Sequence, residues 1–211
     1  GGGAPPNPPA CGAGTVANTQ CILATTADIV GALDEVAVLA DSFDIAAVNM
    51  SLGNGTFNAA CDINLLTGLP DVRALAIDNL YTLGIASVIA SGNQGLVNAM
   101  AAPACMTNAI SVSSTLDTQL PAADLSTGLA PYVQDNVSRF ANVNANVNNG
   151  TDLYAPGTFI RGACPQNSPF DINSSPAPND SLCTYSGTSQ ATPHVTGAWA
   201  ALKSLNPAAL I

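Results

Sequence analysis

The sequence runs to 211 residues, of which 47% are hydrophobic and only 9% charged, so it is long enough and apolar enough to bury one sizeable core. A net charge of −10 argues against a nucleic-acid surface and leaves no basic face for an anionic membrane. No apolar run approaches the roughly 18 residues of a membrane span, and six cysteines without a Cys-x-x-Cys pair, beside one histidine, favour disulfides in an oxidising compartment over a zinc site.

Residues 1–22 are rich in glycine and proline and read as an irregular loop in which no core begins. The chain starts at Gly1 without a basic stretch followed by an apolar run, so any secretion signal is expected upstream. Ile29, Val30, Leu33, Val36, Ala37 and Ala40 recur at intervals of three and four, which predicts an amphipathic helix over 26–40 with Asp28 in its first turn. The apolar run from Ile45 to Ser51 predicts a buried strand, ended by Gly53 and Gly55. A second helix is expected from Asp71 to Leu83, after Pro70 and before Gly84, with Val72, Leu75, Ala76, Leu80 and Leu83 on one side. Ile85 to Ala90 and Ala109 to Ser113 read as further buried strands, and Leu153 to Ala155 as a short one. Residues 114–150 read as loop, with an alternating stretch from Asn142 to Val147 ahead of an Asn149-Gly150 turn. Of the many pairings that six cysteines allow, Cys11–Cys21, Cys61–Cys105 and Cys164–Cys183 is the one expected, although the sequence alone does not choose it.

Helices and strands that alternate without hairpin turns predict an α/β fold on a parallel sheet with right-handed crossovers. Sites in such sheets form at the carboxyl ends of the strands. Ser51-Leu52-Gly53 and Ser91-Gly92-Asn93 both lie at such ends, so two turns of small residues are expected on one rim.

The stretch from Tyr185 to Leu202 carries no charged residue. Gly187-Thr188-Ser189 turns an extended segment into a helix with Val195, Ala198, Trp199 and Leu202 at helical spacing; Pro193 is expected in its first turn, where a missing N–H costs little. Ser189 then stands at a helix N-terminus, whose unpaired N–H groups and positive dipole end suit a developing negative charge. Serine is also a common N-cap, and taken alone that reading is preferred. The run Gly-Thr-Ser-Gln-Ala-Thr-Pro-His is more specific than capping requires.

A serine nucleophile needs a base and a donor for the oxyanion. Asn93, following Gly92 at a strand end, is placed to project its amide into the cleft; a plain turn asparagine is the alternative. His194 is a poor base, because five residues along a helix leave the two side chains roughly 140° apart around the axis and about 7.5 Å apart along it.

Three segments in order, Asn49 to Gly53, Ala90 to Gly95 and Ser186 to Val195, resemble the motifs of the subtilisin-like serine proteases, the subtilases. The resemblance covers 28–53, 84–114 and 153–202 well and the loops between them poorly. It implies a subtilisin-like three-layer sandwich, partial at its N-terminal strands. It also implies Ser189 as nucleophile, Asn93 as oxyanion-hole side chain, and Ser51, Leu52, Gly53, Ser91 and Gly92 as walls holding an extended polypeptide substrate. A secreted protein, extracellular or periplasmic, is expected. No organic cofactor or metal ligand is expected either; calcium belongs to the resemblance, but no ligand set for it is evident. The small residues Met100-Ala101-Ala102 hint at an apolar pocket.

Subtilases place a catalytic Asp and then a catalytic His ahead of the segment with which this chain begins, and neither motif occurs here. Gln190 stands where the family often has methionine. The expectation is one partial catalytic domain over 1–211, inactive by itself for want of a base and exposing the 45–51 strand as an apolar edge. An α/β-hydrolase would need glycine at Ala191 and a histidine well after the serine, and the chain has neither. A non-catalytic, peptide-binding relative of the same fold stays open, to be decided by whether Asp and His motifs lie upstream.

Overall fold

The computed structural model of the chain describes residues 24–117, 133–146, 150–163 and 182–211. Helix α1 (Thr26–Leu39) opens on a capping box in which the Thr25 hydroxyl accepts from the Asp28 N–H and the Asp28 carboxylate accepts from the Thr25 N–H. The Thr25 hydroxyl also donates to that carboxylate, and these bonds hold the Asp28 carboxyl below its ordinary value. Helix α2 (Val72–Thr82) is capped by Asp71, whose carboxylate accepts the Arg73 N–H and pairs with the Arg73 guanidinium at 2.7 Å.

The strands are β1 (Ala47–Met50), β2 (Asn54–Phe57), β3 (Ala86–Ala90), β4 (Met100–Ala102), β5 (Ala109–Thr115), β6 (Leu153–Pro156), β7 (Ile160–Ala163) and β8 (Leu182–Tyr185), before helix α3 (Thr188–Leu205). Four of them form a parallel sheet in the order β1-β3-β5-β6. β2 pairs antiparallel with β4, and β7 with β8. The sequence gives no sign of β2, β4 or β7, which are short and lack a clean two-residue alternation, and shows β8 only as the extended segment ahead of Gly187.

β3 is buried along its length, and its side chains alternate between two cores. Ile89 joins Leu33, Met50, Ala74, Ile77 and Leu80 beneath α1 and α2. Ala86 and Val88 join Val112, Ala155 and Ala191 beneath α3. Helices on both faces of a parallel sheet make three layers, the predicted architecture.

Two predicted helix faces need correction. The buried residues of α2 are Ala74, Ala76, Ile77 and Leu80, whereas Val72, Leu75 and Leu83 are more than half exposed. Counting bulky residues misplaced the stripe, because the side turned to α1 and β3 uses small alanines that let the backbones approach. On α3, Val195 and Trp199 pack on the second core and the Trp199 indole N–H donates to Ala46 O at 3.0 Å, while Ala198 and Leu202 face outward. Pro193 is the sixth residue of α3, beyond the first turn where it was expected.

Cys61 and Cys105 form a disulfide across a separation of 44 residues, which a chain-entropy account values at about 4 kcal/mol. Cys183 is also disulfide-bonded. Cys11, Cys21, Cys164, the loop over 1–22 and Asn149 lie outside the described residues. Among the described residues no helix is long and apolar enough to cross a membrane, and no group of three or more His, Cys, Asp or Glu is arranged to hold a metal ion.

Candidate active site

The carboxyl ends of β1 and β3 lie side by side, with Met50 paired to Ile89, so the turns that follow them share one rim. Gly92 has a φ of +109°, a conformation that side-chain-bearing residues rarely adopt. Ala101 of β4 lies between the two turns: a Cβ on Gly53 would stand 3.1 Å from its Cβ, and one on Gly92 would stand 3.2 Å from the same atom. Both turns thus pack tightly against Ala101, and Met100, Ala101 and Ala102 are buried in β4, so the apolar pocket expected from them is a packed wall behind the rim. Leu52 is half-buried and Ser51 exposed. Ser91 is fully buried and turns its hydroxyl inward to the Asn142 carbonyl at 2.7 Å, so its wall of the rim is main chain.

Ser189 is the second residue of α3 and is not its cap; the N-cap is Gly187, which offers no side chain. The Thr188 N–H and hydroxyl both donate to Asn93 Oδ1, at 2.8 and 2.9 Å. An N–H must meet an oxygen, so this contact fixes the orientation of the carboxamide and leaves Asn93 Nδ2 as a donor. A Cβ on Gly187 would lie 3.5 Å from Asn93 Nδ2 and 3.7 Å from Ser189 N. Two donors from distant parts of the chain thus lie near one point beside Gly187, and the Gln190 side chain stands over it, its Oε1 2.7 Å away. Ser189 Oγ donates to Ser51 O at 3.4 Å, and the Ser51 hydroxyl donates to Ser189 O at 2.8 Å.

The turn that carries Asn93 is held by a residue the sequence reading did not single out. Asn142 is fully buried; its Oδ1 accepts the N–H groups of Gln94 and Leu96 at 2.9 and 3.1 Å. Its Nδ2 donates to Ser91 O at 3.2 Å and Gln94 Oε1 at 2.6 Å. The only sequence signal was the alternation from Asn142 onward, and in it the asparagines Asn142 and Asn144 are buried.

His194 is exposed, and its Nδ1 lies 2.9 Å from Gln190 O, one turn back on its own helix. Among the described residues no histidine or carboxylate is hydrogen-bonded to Ser189 Oγ. The arrangement can present a hydroxyl at a helix N-terminus and stabilise negative charge beside it; among the described residues no group is placed to take the proton.

The model of the subtilase family matches residues 17–210. The chain belongs to the subtilase family. Its relatives include alkaline protease 1 of Aspergillus flavus, 30% identical over 207 residues that cover 93% of this chain and 44% of that protein. The extracellular serine proteinase of Thermus sp. is 33% identical over 153 residues, covering 72% of this chain and 27% of that protein. Among solved structures, a cold adapted subtilisin-like serine proteinase shares the fold with a TM-score of 0.56 at 25% identity, over 86% of this chain and 49% of that one. This subtilase chain spans less than half the length of each of these three proteins.

Proposed function

We propose that this subtilase chain carries the nucleophile and oxyanion half of a serine endopeptidase that acts on extended polypeptides outside the cytoplasm. In this reading the Ser189 oxygen attacks the substrate carbonyl carbon, and its proton passes to a base outside these 211 residues. The oxyanion so formed is held by Asn93 Nδ2 and the Ser189 N–H. The protonated base returns its proton to the departing amine as the intermediate collapses to an acyl-enzyme, and water, giving its own proton to that base, then hydrolyses the acyl-enzyme and frees Ser189. The observation that carries the reading is the convergence of those two donors on the Gly187–Ser189 turn. The Cys61–Cys105 disulfide supports an oxidising compartment.

The competing reading is a peptide-binding protein without catalysis, favoured by the lack of a base on Ser189 Oγ among the described residues. Kinetics on the polypeptide in which this chain occurs, against unfolded polypeptide substrates, separate the two. Ser189→Ala should abolish turnover, and Asn93→Ala should lower kcat about 10²- to 10³-fold with little change in KM. Peptide binding without Ser189-dependent turnover would select the second reading. The 211 residues alone should show no Ser189-dependent hydrolysis.

A further inference from the structure

An internal proline costs a helix one hydrogen bond, because its nitrogen cannot donate to the carbonyl four residues earlier. In α3 that proline is Pro193, and the carbonyl left unclaimed is that of Ser189. The structure supplies a donor from outside the helix, the Ser51 hydroxyl at 2.8 Å. Ser51 is itself oriented: Asn49 Nδ2 donates to its oxygen at 3.0 Å, which leaves the Ser51 proton for Ser189 O. The other end of the Asn49 carboxamide accepts from the Thr196 hydroxyl at 3.3 Å, and Thr196 also bonds Thr192 O at 3.0 Å. The circuit leaves α3 at Ser189, crosses to the end of β1, and returns to α3 about two turns further on.

We propose that Ser51 is a positioning residue for the nucleophile: its hydroxyl replaces the helix donor that Pro193 lacks and, with Asn49 and Thr196, fixes the first turn of α3 to the substrate wall. The inference rests on the reading of Ser189 as nucleophile. It gives Ser51 a second task beside lining the groove, and it gives the proline a purpose. A residue with an N–H at 193 would satisfy the Ser189 carbonyl within the helix and remove the need for the tie to the rim. With Thr188 held by Asn93 and the Ser189 carbonyl held by Ser51, the Ser189 backbone is pinned on both sides, and its χ1 is the torsion left to turn.

The test uses this chain with Ser189→Cys, kept without reductant so that its disulfides stay closed. A thiol at that place reports on the turn without a base or a substrate. The pH dependence of its alkylation by iodoacetamide is measured alone and with Ser51→Ala, Ser51→Thr, Pro193→Ala and the double variant Ser51→Ala/Pro193→Ala. A thiolate is favoured at a well-held helix N-terminus, so Ser51→Ala should slow alkylation near neutral pH about three- to tenfold and displace the profile to higher pH. Ser51→Thr keeps the hydroxyl and should retain the parent profile. The deciding arm is the double variant: with a helix N–H restored at 193, Ser51→Ala should change the rate less than about twofold. An equal Ser51→Ala effect in both backgrounds, or an unchanged profile in Ser51→Ala, overturns the proposal; melting curves show that each variant is folded. Because no turnover is read, inactivity of the whole protein would overturn the proposed function and leave this result standing.

Discussion

The Asn142 carboxamide makes four hydrogen bonds, all to the turn that presents Asn93, and touches neither Asn93 nor Ser189 through them. Truncating it would take the acceptor from two part-buried N–H groups, at about 1–2 kcal/mol each. Asn142→Ala should therefore lower unfolding free energy by about 2–4 kcal/mol, measured by urea denaturation of the chain; a loss under about 1 kcal/mol would mean that water replaces the amide. Residues of this kind mark the limit of sequence reading. Ser189 and Asn93 can be singled out in the sequence because their glycines and small neighbours stand beside them in the chain, and the structure brings their turns together. The hold of Thr188 on Asn93, and of Asn142 on the turn, depends on chain crossings that no local pattern records. The sequence points to Pro193 as a helix-start residue for a similar reason, since the donor that makes it tolerable deeper in α3 comes from Ser51.

Helices α1 and α2 and strand β3 fall within about two residues of where periodicity and end signals put them, because each is a local, self-punctuated segment. Capping supplies a pH-dependent part of their stability. Hydrogen bonding from Arg73 holds the Asp71 carboxyl below its ordinary value of 3.8. A folded value below the unfolded one means that the charged form favours the fold. The contribution is complete above the unfolded value and is lost as pH falls through the folded one. Asp71→Ala should cost about 1 kcal/mol at neutral pH, from the lost cap. That difference should shrink as the pH is lowered through and below 3.8, which denaturation midpoints of the two proteins across acid pH would register. A difference that stays constant into acid would show that the cap acts without its charge. Asp28 has the same sign through its bonds to Thr25, so the parent chain should weaken in acid at both helix starts.

At the scale of the molecule, the sheet is asymmetric in how it ends. Among the described residues β1 has β3 on one side and no strand on the other, leaving a row of backbone groups able to pair with another chain. The 211 residues in isolation should self-associate in the range of about 10–100 µM, seen as a sedimentation coefficient that rises with concentration. A single monomeric species that unfolds in one cooperative step would contradict this. The net charge of −10 opposes association, so added salt should promote it.

Trp199 is the only tryptophan, and its ring nitrogen is bonded to the backbone just ahead of β1, with the Lys203 ammonium 5.9 Å from the ring. The molecule thus carries its own optical gauge. Detaching the last helix wets the indole and reddens its emission, whereas fraying confined to the helices on the opposite face leaves the fluorescence spectrum unmoved.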